Sequence, residues 1–121
     1  MKLQINNTFH FEAAHNLPGL PEGHKCRGIH GHTWTVRVYV AGPVDNVTGM
    51  IIDYAELADL WAKHCHPFLD HTYLNETIDN PTTEHIAAWI FVALRDNLRE
   101  LGAVLTRIEI DEGADGGSCV L

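Results

Sequence analysis

His30-Gly31-His32-Thr33-Trp34-Thr35-Val36-Arg37-Val38-Tyr39-Val40 is the stretch that decides how this chain folds. From Thr33 onward it is rich in β-branched and aromatic residues, which suit a pleated, half-buried surface, and Gly42-Pro43 closes the run. A strand is therefore predicted, entered through two histidines. Residues two apart on an extended chain point to one face, so His30 and His32 share a side and Gly31 between them adds no bulk.

Upstream, Leu3 to Ala14 predicts another strand, with Phe9 and Phe11 on one face and His10 and Glu12 on the other. A loop of about fifteen residues joins the two, punctuated by Pro18, Gly19, Pro21, Gly23 and Gly28; loops this long are often functional. Downstream, Asp53 followed by Glu56 has the form of a capping box, opening a helix whose apolar side carries Leu57, Leu60 and Trp61. Pro67 disfavours continuation, so this helix should fade near His64 to His66. Asn80-Pro81-Thr82-Thr83-Glu84 opens a second helix, in which Ile86, Ile90, Phe91, Leu94, Leu98 and Leu101 keep the helical period until Gly102. Alternation returns from Val104 to Ile110, with Thr106, Ile108 and Ile110 on one face and Leu105, Arg107 and Glu109 on the other. A last short strand follows Gly116-Gly117.

The order of two strands, two helices and one or two further strands gives an α+β class, with two helices packed on one face of a mainly antiparallel sheet. No repeat or linker divides the chain, so residues 1–121 are expected to form a single domain. So small a sheet leaves edges unpaired, and long edges invite pairing between subunits; a homo-oligomer is expected.

Eight Lys and Arg against sixteen Asp and Glu give a formal charge of −8, with no basic stripe to neutralise phosphates, which argues against a nucleic-acid partner. No stretch is apolar enough to cross a membrane, and the opening Met1-Lys2-Leu3-Gln4-Ile5-Asn6-Asn7 lacks a signal peptide's apolar core, so a cytoplasmic location is expected. Cys26, Cys65 and Cys119 are too scattered for a disulfide framework and read as free thiols.

His15, His30 and His32 together read as a zinc site, provided that the first strand lies beside the second. Neutral imidazoles suit Zn²⁺, and three protein ligands with an open fourth position is the coordination pattern of catalytic zinc. Cys26 lies in the loop that delivers these ligands, flanked by Lys25 and Arg27. It reads either as a thiol that acts in catalysis or as a fourth ligand that would close a structural site. Asp70-His71, between the helices, has the makings of a relay in which a carboxylate orients an imidazole that activates a thiol; the plain alternative is a solvated turn. Glu109 is either half of a salt bridge across the sheet or a bidentate acceptor for a donor-rich heterocycle. His10, His24, His64, His66 and His85 take no assigned role.

Phe11-Glu12-Ala13-Ala14-His15, Cys26-x-x-x-His30-Gly31-His32, Asp53-Tyr54, Leu69-Asp70-His71, Asn80-Pro81-Thr82-Thr83-Glu84 and the late Glu109 together resemble the 6-pyruvoyl-tetrahydropterin synthase family, in order along nearly the whole chain. The short Cys26-to-His30 interval, preceded by Pro21-Glu22-Gly23-His24-Lys25, is most similar to the bacterial branch that forms 6-carboxy-5,6,7,8-tetrahydropterin for queuosine. The resemblance implies the tunnelling fold, a four-stranded antiparallel sheet with two helices, assembled as a hexamer of two trimers with active sites where subunits meet. It implies zinc on His15, His30 and His32, proton transfer by Cys26, Asp70 and His71, and a pterin ring held by Glu109, with Lys25 and Arg27 as candidate triphosphate contacts. The implied activity is a zinc-dependent lyase converting 7,8-dihydroneopterin triphosphate to 6-carboxy-5,6,7,8-tetrahydropterin, acetaldehyde and triphosphate. The rival readings are triphosphate elimination without carbon-carbon cleavage, giving a 6-pyruvoyl product, and a non-catalytic zinc- or pterin-binding module.

Overall fold

A computed structural model describes residues 1–114 and 116–120, with residues 118–120 described by backbone alone, so the thiol of Cys119 lies outside the described residues. Strand β1 (Gln4–His15) pairs antiparallel with β2 (His30–Ala41), unbroken from Gln4 opposite Ala41 to His15 opposite His30. Strand β2 also pairs antiparallel with β4 (Val104–Glu112), which in turn pairs with β5 (Gly117–Val120). These four strands are the antiparallel sheet expected. A fifth, β3 (Thr72–Tyr73), adds two residues parallel to Ala13 and Ala14, so the sheet order is β3-β1-β2-β4-β5.

Period-two alternation decides which side of this sheet is covered. Phe11, Trp34, Val36, Val38, Ile108 and Ile110 are all buried on one face. Helices α1 (Tyr54–His64) and α3 (Thr83–Glu100) set Leu57, Trp61, Ile86, Ile90, Leu94 and Leu98 in the same core. Phe9 stacks on Trp61 with ring centroids 4.7 Å apart, and Phe11 on Trp34 at 5.8 Å. The other face carries His10, Glu12, Thr35, Arg37, Arg107 and Glu109.

Local signals in the sequence account for the helix ends. Asp53 accepts the Ala55 amide at 2.8 Å while Glu56 accepts the Asp53 amide at 3.2 Å, a complete capping box. Thr82 caps α3 by accepting the His85 amide at 3.1 Å, and Gly102 follows the helix at φ +81°, in the left-handed region a C-terminal turn requires. Pro67 ends α1 as expected and also begins a further turn, α2 (His66–Leu69), since a proline is tolerated where the amide would have no helical partner.

The strand after α3 departs from simple alternation. The β2–β4 register shifts between Tyr39 and Val40: Tyr39 faces Arg107, Val40 faces Leu105, and Thr106 is the extra residue of a β-bulge. Leu105 therefore joins Ile108 and Ile110 in the core, where uninterrupted alternation would have turned it outward. Truncating Leu94 to Ala removes a fully buried side chain and should cost about 2–5 kcal/mol of unfolding free energy, measured by urea titration at fixed protein concentration. Loss of less than about 1 kcal/mol would contradict this packing.

Candidate metal centre and substrate pocket

Because β1 and β2 end in register, His15 and His30 face each other as a strand pair, and His32 lies one pleat along on the same side. Their ring centroids form a triangle of 4.5, 5.2 and 5.0 Å. Trp34 packs edge-on against His15 and His32 at 5.0 and 5.2 Å, so the apolar core forms the floor of the cluster. Glu112, at the end of β4, completes a group whose potential ligand atoms all lie within 4.8 Å of one another.

Hydrogen bonds settle which nitrogen His15 and His30 offer. His15 Nδ1 lies 2.8 Å from the Pro81 carbonyl and His30 Nδ1 2.8 Å from the Gly28 carbonyl. A carbonyl only accepts, so each Nδ1 carries the proton and each Nε2 presents a bare lone pair. His15 Nε2 is buried with no partner. His32 Nε2 is likewise without a formed hydrogen bond, although it lies 2.9 Å from Glu112 Oε1. Buried imidazole lone pairs converging beside a carboxylate fit a divalent cation, and the carbonyl bonds behind them fix ring orientation as in known metal sites. Burial holds the His15 pKa below its ordinary value, with the neighbouring His30 adding to the effect against the opposing Pro81 bond, so the ring is neutral and able to bind a metal.

Asn16 secures the end of β1 that carries His15. Its amide donates to Asn75 Oδ1 at 3.0 Å, Asn75 Nδ2 donates back to its carbonyl at 2.9 Å, and the Tyr73 hydroxyl donates to Asn16 Oδ1. Beside the histidines opens a cavity of about 770 Å³, lined by Lys25, Cys26, His30, His32, Thr83 and Glu112 among others. The Lys25–Arg27 turn delivers Cys26 there, with the Cys26 amide donating to His24 Nδ1 at 3.1 Å. Cys26 is half-buried and stands outside the converging ligand group. Cys65 is buried in the core, which pushes its thiol pKa up to about 12 and leaves it inert.

Two residues singled out from sequence, Arg27 and Glu109, are used differently or lie elsewhere. Arg27 donates to the carbonyls of Pro18 and Leu20 at 3.0 and 2.6 Å, so its guanidinium fastens the long loop and is not turned toward the cavity. Glu109 corrects a second expectation: it lies on the opposite face of the sheet, 2.7 Å from Arg107 and 3.8 Å from Arg37, and accepts the Tyr39 hydroxyl at 3.2 Å. The carboxylate that reaches the cavity is Glu112, which sequence reasoning missed. The signal was present, since Glu112 continues the parity of Ile108 and Ile110.

Asp70 and His71 do not line this cavity. They sit at the β1 edge, where Asp70 Oδ1 accepts the Glu12 amide at 3.0 Å and the His71 amide donates to the Glu12 carbonyl at 2.6 Å. Asp70 Oδ2 is 2.7 Å from His71 Nδ1, and His71 adopts φ +53°, a strained conformation that presents its side chain 77 % exposed.

The residues from 4 to 120 match the model of the family described as 6-pyruvoyl tetrahydropterin synthase. The chain belongs to that family. It is 44 % identical over 102 residues to a Synechocystis protein named 6-carboxy-5,6,7,8-tetrahydropterin synthase, covering 76 % of this chain and 74 % of that one. It is 36 % identical over 118 residues to a Pyrococcus furiosus protein named dihydroneopterin monophosphate aldolase, covering 97 % and 96 %. In three dimensions it superimposes on 6-pyruvoyl tetrahydropterin synthase of Caenorhabditis elegans with a TM-score of 0.86 at 24 % identity, covering 99 % of this chain and 95 % of that one. The fold is thus the family's tunnelling fold. No helix among the described residues is long and apolar enough to cross a membrane.

The Asp70–His71 pair makes stability depend on pH in a definite direction. The Glu12 amide and then His71 lower the Asp70 pKa from 3.8, and Asp70 raises that of His71 from 6.5. The Asp70 contribution is present above pH 3.8 and is lost as pH falls through its lowered value; that of His71 is full below pH 6.5 and is lost as pH rises through its raised value. His71→Asn, which tolerates the left-handed backbone, should therefore depress Tm more at pH 5 than at pH 9. Equal depression at both would show that the pair does not couple.

Proposed function

We propose that the chain is a 6-carboxy-5,6,7,8-tetrahydropterin synthase, a zinc-dependent lyase that converts 7,8-dihydroneopterin triphosphate and one water to the 6-carboxy product, acetaldehyde and triphosphate in queuosine biosynthesis. The observation that carries this reading is that Cys26 and Glu112 line one cavity with His30 and His32, while His15, His30, His32 and Glu112 bring their potential ligand atoms within 4.8 Å of one another. His15, His30 and His32 would hold the zinc. When bound, it would supply Lewis acidity toward side-chain oxygens of the substrate.

The chain's own groups divide the remaining work. The Glu112 carboxylate accepts the N–H donors along the pyrimidine edge of the pterin, the role that the family resemblance implies for Glu109. Charge-assisted contacts of this kind are the strong ones. The Cys26 thiol moves a proton at the substrate side chain, and Lys25 at the cavity wall meets phosphate. Asp70 and His71 complete the relay from a neighbouring copy of the chain, since His71 is exposed and does not line its own chain's cavity. A homo-oligomer, the hexamer of two trimers implied by the family resemblance, supplies that copy. Strand β1 supports the same assembly: from Gln4 to Phe11 its outer edge lacks a strand partner among the described residues.

A second reading draws on the P. furiosus relative. Lys25 is the single Lys or Arg among the described cavity residues, a modest match for three phosphates. Aldol cleavage of a monophosphate would release glycolaldehyde phosphate in place of acetaldehyde. Mass analysis of products from both substrates decides: acetaldehyde and carboxytetrahydropterin from the triphosphate are expected, and their absence overturns the proposal.

Variants test the assignments separately. Cys26→Ala should retain zinc, measured by metal analysis, and lose at least about 100-fold in kcat. Loss of zinc in that variant would make Cys26 a ligand. Glu112→Gln should lower kcat/KM by about 10- to 100-fold, the worth of a hydrogen bond to a charged group, while Glu109→Gln stays within about twofold. Equal losses in the two variants would contradict the assignment.

A further inference from the structure

His66 takes no part in the function proposed above, yet it touches the group on which the relay depends. It opens α2, and the Asp70 amide donates to its carbonyl at 2.9 Å, closing one helical turn. That turn brings His66 Nε2 to 3.4 Å from Asp70 Oδ2, the same oxygen that His71 Nδ1 reaches at 2.7 Å. The other oxygen, Oδ1, is occupied by the Glu12 amide at 3.0 Å. Asp70 is thus fully engaged, and one of its oxygens is shared between two imidazoles at unequal distance. In the single chain both rings reach solvent, with side chains 47 % exposed at His66 and 77 % at His71.

We propose that His66 is a positioning residue that sets the basicity of His71 through their common carboxylate. When His66 is protonated, its cation competes with His71 for the Oδ2 charge and makes His71 a weaker base. When His66 is neutral, Asp70 supports His71 alone. The charges around the pair leave room for this effect. His71 and His66 are the titratable groups acting on Asp70, and Asp70 and Glu12, from β1, are those acting on His71. A second cation near the shared carboxylate opposes the gain that His71 draws from it, and imidazole is the side chain whose charge changes near neutrality. The consequence for turnover rests on the reading of Asp70 and His71 as a proton relay, whereas the coupling itself does not.

The experiment follows the His71 ring directly in the intact protein, by NMR titration with ¹³C-labelled histidine, the signal being assigned by its loss in His71→Asn. His66→Gln should raise the His71 midpoint by about 0.3–0.7 pH units, the scale of an exposed ion pair. His66→Lys, which stays cationic, should not raise it. An unchanged midpoint in His66→Gln, or an equal rise in both variants, overturns the proposal. In parallel, the limb of the kcat pH profile governed by His71 should move with the midpoint in His66→Gln. A midpoint that moves while the profile stays fixed supports the coupling and overturns the relay reading, so the two failures are told apart.

Discussion

The unbroken antiparallel register of β1 and β2 is the constraint on which the rest of this molecule depends. Pairing Gln4 with Ala41 at one end and His15 with His30 at the other fixes the face of every side chain between them. Slipping one residue would turn Phe11, Ala13 and His15 together to the polar face. Core and metal centre are therefore one specification. The alternation that buries Phe11 and Trp34 also brings three imidazoles to the end of the same face.

That sharing sets the environment of the site. Trp34 is fully buried, donates its indole N–H to the Ala13 carbonyl at 3.2 Å, and lies edge-on beneath two of the histidines. A dry aromatic floor strengthens electrostatic interactions above it and keeps His15 neutral. The exposed side of the cluster opens to Cys26, Lys25 and Glu112. On the function proposed above, one wall would hold a cation and the other would meet substrate.

How far the site was legible in the sequence depended on how far each signal reached along the chain. The His30-Gly31-His32 spacing, the Asp53/Glu56 box and the apolar period of α3 are local, and each could be read directly. The Asp70-His71 dipeptide was visible as chemistry but not as a place, because its position at the β1 edge comes from tertiary bonds to Glu12. Arg27 looked like a phosphate ligand because its flanking position says nothing of carbonyls at Pro18 and Leu20 within reach of its guanidinium. Glu109 is more instructive, since the salt-bridge alternative is the one that the structure shows. The bulge at Thr106 breaks the alternation just upstream, yet from Ile108 onward the period is regular, and it assigns Glu109 to the polar face and Glu112 to the site.

The same period-two logic explains why one chain presents a divided set of chemical groups. His15, His30, His32 and Glu112 share the helix-covered face and gather at the end of the sheet. Asp70 and His71 are tied to the backbone of Glu12 at the β1 edge, with the His71 ring held outward by a strained backbone. A protein that used His71 only within its own fold would gain nothing from maintaining that strain for an exposed ring. Strain at the β1 edge, next to a stretch with no strand partner, is what a group delivered into a neighbouring molecule would require. On the function proposed above, the open strand edge and the exposed imidazole are two parts of one device, in which pairing between copies and completion of the relay would happen in the same contact.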